Sequence, residues 1–150
     1  MRILGHRHTA IIVANLDRMI AFYESLGFVT RRRDLESGEF ISHLLGLPDI
    51  ELESVKRALA DGYVLELIMH VTHPPPDRPN APDGFHPATL GLDHVGFTVD
   101  DIDAVVAHVV SAGGRVVSTP KWTNPGLPSI HAYVLDPEDN IIHLSQNVAA

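Results

Sequence analysis

The chain has 150 residues, no cysteine and a net charge of −8 with its ten histidines counted neutral. That balance argues against a broad phosphate-neutralising face for nucleic acid. The missing cysteine excludes disulfides, thiolate metal sites and a cysteine nucleophile. No run of about 18 apolar residues offers a membrane span.

Apolar residues make up 45% and charged residues 20%, which fits one globular domain or two small modules sharing a core. The start, MRILGHRHTA, turns polar too early for a signal peptide, so a cytoplasmic protein with no membrane or nucleic-acid partner is expected. Residues 8–14, HTAIIVA, are apolar and β-branched and predict a strand. Asn15 or Asp17 can cap a helix whose apolar positions are Leu16, Met19, Ile20, Tyr23 and Leu26, and Gly27 sits where a left-handed stop belongs. Residues 28–34, 39–45 and 51–59 read as extended. The run Arg31-Arg32-Arg33 reads as a solvated strand end, with an anion patch as the alternative. Asp61-Gly62 marks a turn before the apolar run Tyr63–Val71. Residues 73–87 carry six prolines and predict a linker or lid.

The pattern then restarts. Leu92–Val99 predicts a strand. Asp101 caps a helix with Ile102, Val105, Val106, Val109 and Ala112 on its apolar side, and Gly113-Gly114 ends it. Residues 115–118 read as extended, and Lys121–Ser129, which holds Trp122, reads as a loop. Ile130–Leu135 and Ile141–Gln146 are strands around the turn Asp136-Pro137-Glu138-Asp139-Asn140. The two halves superpose: His8 meets His94, Val13 meets Val99, Asp17 meets Asp103 and Gly27 meets Gly113, while Glu66 falls against His143. One compact domain is therefore expected, built from a βαβββ module over residues 1–72, a proline-rich linker over 73–89 and a second βαβββ module over 90–150.

His8, Glu66, His94 and His143 each fall centrally in a predicted strand. Strand side chains alternate between faces, so His8 groups with Ala10 and Ile12, and His94 with Gly96 and Thr98. Were the first and last strands of each half neighbours, and the halves set edge to edge, three imidazoles and one carboxylate would meet at one centre. Such a donor set suits Zn, Ni, Co, Mn or Fe, and open coordination positions permit catalysis. The competing reading is four residues separately satisfied by hydrogen bonds. His131, on the strand before the last, can face the same centre. His43 is a weaker candidate, and His6, His70, His73, His86 and His108 read as surface or linker groups.

The stretches HTAIIVANLDRMIAFYESLGF, GLPDIELESVKRALADGYVLELI, GLDHVGFTVDDIDAVVAHVVSAGG and YVLDPEDNIIHLSQ together resemble the vicinal oxygen chelate superfamily of glyoxalase I, methylmalonyl-CoA epimerase, extradiol dioxygenases and drug-resistance proteins. The resemblance implies an α+β fold in which paired βαβββ modules form an open, curled mixed sheet, a cup around a divalent metal. It places the metal ligands at His8, Glu66, His94 and His143, and it implies a small-molecule substrate and a homodimer. One position departs from the family: its final-strand ligand is usually glutamate, where this chain has His143. Glu66 or His143 is left as the catalytic base. A metal-dependent lyase or isomerase working through an enediolate is the leading expectation. An Fe(II) dioxygenase and a metal-free drug-binding protein are the alternatives. A glutathione or coenzyme A thioester substrate would call for a basic entrance, with Arg31–Arg33 and Lys121 as candidates.

Overall fold

A computed structural model describes residue 2 and residues 4–75, 91–118 and 129–147. The chain divides into two compact units, Met1–Pro76 and Asp77–Ala150. Most of the proline-rich segment, His86, and the loop carrying Lys121 and Trp122 lie outside the described residues.

The first unit runs β1 (Thr9–Ile12), α1 (Leu16–Ser25), β2 (Val29–Ser37), α2 (Glu39–Leu45), β3 (Glu51–Ala58) and β4 (Val64–His70). Its sheet has the order β1-β4-β3-β2. The two outer members of the sequence, β1 and β4, lie side by side and parallel, while β4 with β3 and β3 with β2 are antiparallel. The second unit runs β5 (Val95–Thr98), α3 (Ile102–Ser111), β6 (Arg115–Val116), β7 (Ser129–Leu135) and β8 (Ile141–Asn147). It repeats the order as β5-β8-β7-β6, with β5 and β8 parallel. Each unit is therefore a four-stranded mixed sheet of the expected βαβββ type. Among the described residues no helix is long and apolar enough to cross a membrane.

Local chemistry explains the helices. The Asn15 side chain accepts the Arg18 N–H at 3.0 Å and starts α1, and Asp101 accepts the Ala104 N–H at 2.9 Å and starts α3. Leu16, Met19, Phe22 and Tyr23 on α1, and Ile102, Val106 and Val109 on α3, form the buried stripe that each helix lays on its own sheet. In β4 the stripe covers Leu65 and Leu67, and in β8 it covers Ile142 and Leu144; all four are buried. Alternation then sends Glu66 and His143 to the opposite face of each sheet. The buried Arg57 lies next to Lys56 in β3 and donates to the Phe28 carbonyl at 2.6 Å and to the Thr30 hydroxyl.

Two expectations are corrected. Residues 39–45, read as extended, form α2. The helix is bracketed by Gly38 at φ 91° and Gly46 at φ 67°, conformations that favour glycine, and it is anchored by Ile41 packing with Ile50, Leu52 and Ile68. The first strand of each unit is also shorter than expected. His8 and His94 stand one residue before β1 and β5 rather than at their centres.

Candidate metal centre

In the first unit, the parallel register sets Ala10 beside Glu66, and the antiparallel register sets Lys56 directly opposite Glu66. His8, two residues before Ala10, falls on the same face. Glu66 is buried, and both of its oxygens are engaged. Its Oε2 lies 3.1 Å from His8 Nε2, and its Oε1 lies 2.6 Å from Lys56 Nζ. A buried carboxylate without such partners would carry a heavy desolvation cost.

In the second unit, Gly96 and Tyr133 flank His143 on neighbouring strands. His143 Nε2 shares a 3.0 Å hydrogen bond with His131 Nδ1, and His131 Nε2 is 2.8 Å from the Ser129 hydroxyl. The Tyr133 ring stacks on His143 at 4.8 Å, and the His94 ring meets His143 edge-on at 5.3 Å. His94 Nδ1 is 2.7 Å from the Asp93 carboxylate. Burial, reinforced by the nearby His131 and His94 rings, holds the pKa of His143 below the ordinary 6.5.

Each unit thus unites one pair of the four expected ligands: His8 with Glu66, and His94 with His143. The donors fit a divalent cation. A nitrogen and an oxygen 3.1 Å apart have the spacing of two ligands that each lie about 2.1 Å from one ion. An imidazole held at Nδ1 by a carboxylate presents Nε2 with its orientation fixed. Among the described residues, no group of three or more His, Asp or Glu side chains able to hold a metal is found.

Of the remaining histidines, His131 joins the second cluster. His43 lies on α2, and His6 stacks on Tyr63. His70 ends β4 half-buried, not as a surface group. The basic run of β2 is largely neutralised: Arg32 pairs with Asp34 at 2.6 Å, and Arg33 pairs with Glu53 and with Asp17. Lys56, Asp93, Ser129 and Tyr133 were not singled out from the sequence. Asp93 adjoins His94, and its acid-histidine dipeptide was the one available signal. The others depend on cross-strand register.

A family model describing the Glyoxalase/Bleomycin resistance protein/Dioxygenase superfamily matches residues 5–144. The chain belongs to this superfamily. Its superfamily relatives include the lactoylglutathione lyase of Schizosaccharomyces pombe, 30% identical over 142 residues, 91% of this chain and 45% of that protein. The uncharacterized Escherichia coli protein YaeR is 46% identical over 54 residues, 36% of each chain. The aligned regions thus span less than half the length of either relative. Among solved structures, a glyoxalase family protein from Bacillus cereus superposes with a TM-score of 0.87 at 25% identity, covering 99% of this chain and 97% of that one. The fosfomycin resistance protein FosX from Listeria monocytogenes, complexed with Mn(II) and sulfate, shares the fold at a TM-score of 0.58 and 12% identity, with 98% and 95% covered.

Proposed function

We propose that this superfamily member is a divalent-metal-dependent lyase or isomerase acting on a small substrate with two adjacent oxygens, by way of an enediolate. His8, Glu66, His94 and His143 are the proposed ligands. The observation that carries this reading is Glu66, a buried carboxylate held within ligand distance of an imidazole on the sheet face opposite the helix. The likeness to a lactoylglutathione lyase over most of this chain supports the reaction class, and the Mn(II) complex of a structural neighbour supports a divalent ion.

When bound, the metal supplies a Lewis acid that polarises the substrate oxygens. His8 and Glu66 orient one another, and Asp93 fixes the His94 ring. Both Glu66 oxygens already have partners, so the proton transfer is assigned to His143, which serves as base when it is not bound to the metal. Its lowered pKa keeps it neutral near pH 7 and able to accept a proton from a carbon next to a carbonyl. Its hydrogen bond to His131, and through it to Ser129, holds the ring in place during the transfer. The proposed setting is a cytoplasmic homodimer.

Elemental analysis of purified protein tests this reading. One tightly held divalent ion per chain is expected, with its loss in His8→Ala. A wild-type protein that retains none after growth in metal-supplemented medium refutes the reading and favours a metal-free binding protein. A second reading, an Fe(II) dioxygenase, is favoured by the hydrogen bond that ties His143 to His131, because it leaves two imidazoles and one carboxylate as the donor set. Bound iron with substrate-dependent oxygen consumption distinguishes it.

A further inference from the structure

We infer that Lys56 makes this a site for an anionic chelating substrate, one whose adjacent oxygens include a carboxylate, as in a 2-oxo or 2-hydroxy acid; this rests on the metal reading above. The sheet itself builds the contact. Lys56 on β3 is the direct cross-strand neighbour of Glu66 on β4, and its ammonium lies 2.6 Å from Oε1 while His8 takes Oε2. The pairing is therefore set by register rather than by a surface side chain wandering onto an acid.

Charge gives the arrangement its consequence. Glu66 is the single carboxylate among these three side chains, and it already compensates the ammonium. A divalent cation taken up at His8 and Glu66 adds two positive charges against the same single negative one. The Lys56 side chain is one-third exposed, so it is not sealed under the sheet. An anionic oxygen arriving with the substrate reduces this excess of positive charge, and a neutral carbonyl or hydroxyl does not. Two opposite effects follow from one residue: Lys56 weakens the hold on the metal by repulsion, and it strengthens the hold on an acidic substrate by attraction.

The experiment is calorimetric titration of the full chain, first with Mn(II) alone and then, on Mn(II)-loaded protein, with oxalate as the anionic chelator and hydroxyacetone as the neutral one. Wild type is compared with Lys56→Met, Lys56→Gln and Lys56→Arg. Removing the charge should tighten Mn(II) and weaken oxalate, each on the order of tenfold. Hydroxyacetone should be unaffected, and Lys56→Arg should behave as wild type. Lys56→Gln keeps a hydrogen-bond donor for Glu66, so it gives the same answer if Lys56→Met fails to fold. A generally damaged site would lose metal and oxalate together, so opposite shifts separate this role from a structural one. Unchanged or weaker Mn(II) binding in both neutral variants overturns the inference, and so does unchanged oxalate binding. If wild-type protein binds no Mn(II) at all, the metal reading falls with it. If wild type binds Mn(II) and the neutral variants match it, only the role of Lys56 falls.

Discussion

Asp136 anchors the turn that delivers His143, and its removal should be costly in a graded way. The residue is 1% exposed. Its Oδ1 accepts the backbone N–H groups of Glu138 and Asn140, each at 2.9 Å, and its Oδ2 accepts the Asn140 side-chain amide at 2.8 Å. Its own N–H donates to the Asn140 carbonyl at 3.0 Å. One carboxylate thus ties together a turn in which Asp139 sits at φ 65°, a left-handed conformation that needs such holding. The first paired residues beyond the turn are Leu135 and Ile141, and the site pair Tyr133 and His143 follows two residues later.

Asp136→Ala strips three acceptor contacts and strands their donors. Each hydrogen bond to a charged acceptor is worth about 1.5–3 kcal/mol. The turn is only half-buried, and water can replace part of what is lost. A total near 3 kcal/mol is therefore expected, well below the full sum. Asp136→Asn keeps an oxygen for the two backbone donors and opposes two amide groups at the third contact, for a cost of about 1 kcal/mol. Urea denaturation of both variants against wild type measures the two values. Equal costs, or an alanine variant within about 0.5 kcal/mol of wild type, would refute the assignment of Asp136 as the anchor of this turn.

Two further outcomes follow from the geometry. A Cβ at Gly114 would lie 2.4 Å from the Leu135 carbonyl oxygen and 2.6 Å from Val109 Cγ1, and the carbonyl belongs to the backbone of β7 and cannot swing away. Gly114→Ala should therefore destabilise by about 3 kcal/mol, whereas Gly96→Ala meets nothing closer than 3.8 Å and should be nearly silent; thermal denaturation of the pair checks the contrast. The lowered pKa of His143 means that the unfolded chain binds its proton first as pH falls. The stability contributed by neutral His143 is present above its ordinary 6.5 and is lost as pH falls from there toward the lower folded value. Metal-free protein should lose stability on acidification in that window. A His143→Gln variant should show a shallower slope, and an identical slope would contradict the assignment.

The helices and the duplication were legible because their signals are local. Asn15 and Asp101 are short polar caps set just before apolar residues at helical spacing, and Gly27 and Gly113 close the same helices at φ 94°. The pairing of His8 with Glu66, and of His94 with His143, was legible because alternation and repeat symmetry fix a face. The seven-residue α2 was not legible: over two turns it buries only Ile41, too short a stripe to separate helix from strand. Its boundaries come from two glycine conformations that a sequence pattern does not announce. The strand histidines lie just outside their strands because the sequence pattern carries each expected strand back beyond its first paired position. Lys56 was missed for a different reason. Alternation tells which face a strand residue takes but not which residue lies opposite, and that register is settled by the whole sheet.

The two units put different chemistry on one backbone plan. In the first, the row across the sheet reads Ala10, Glu66, Lys56; in the second it reads Gly96, His143, Tyr133. The registers are equivalent, so duplication accounts for where the donors stand, and substitution within a row accounts for their charge. The first row carries a carboxylate compensated by an ammonium. The second carries an imidazole stacked on a phenol, with His131 rather than a cation at its outer nitrogen. Exchanging the rows one position at a time would alter charge and proton affinity without moving the backbone. His143 is therefore best understood together with its cross-strand neighbour, Tyr133. A carboxylate placed at 143 would face Tyr133, which cannot supply the positive charge that Lys56 gives Glu66.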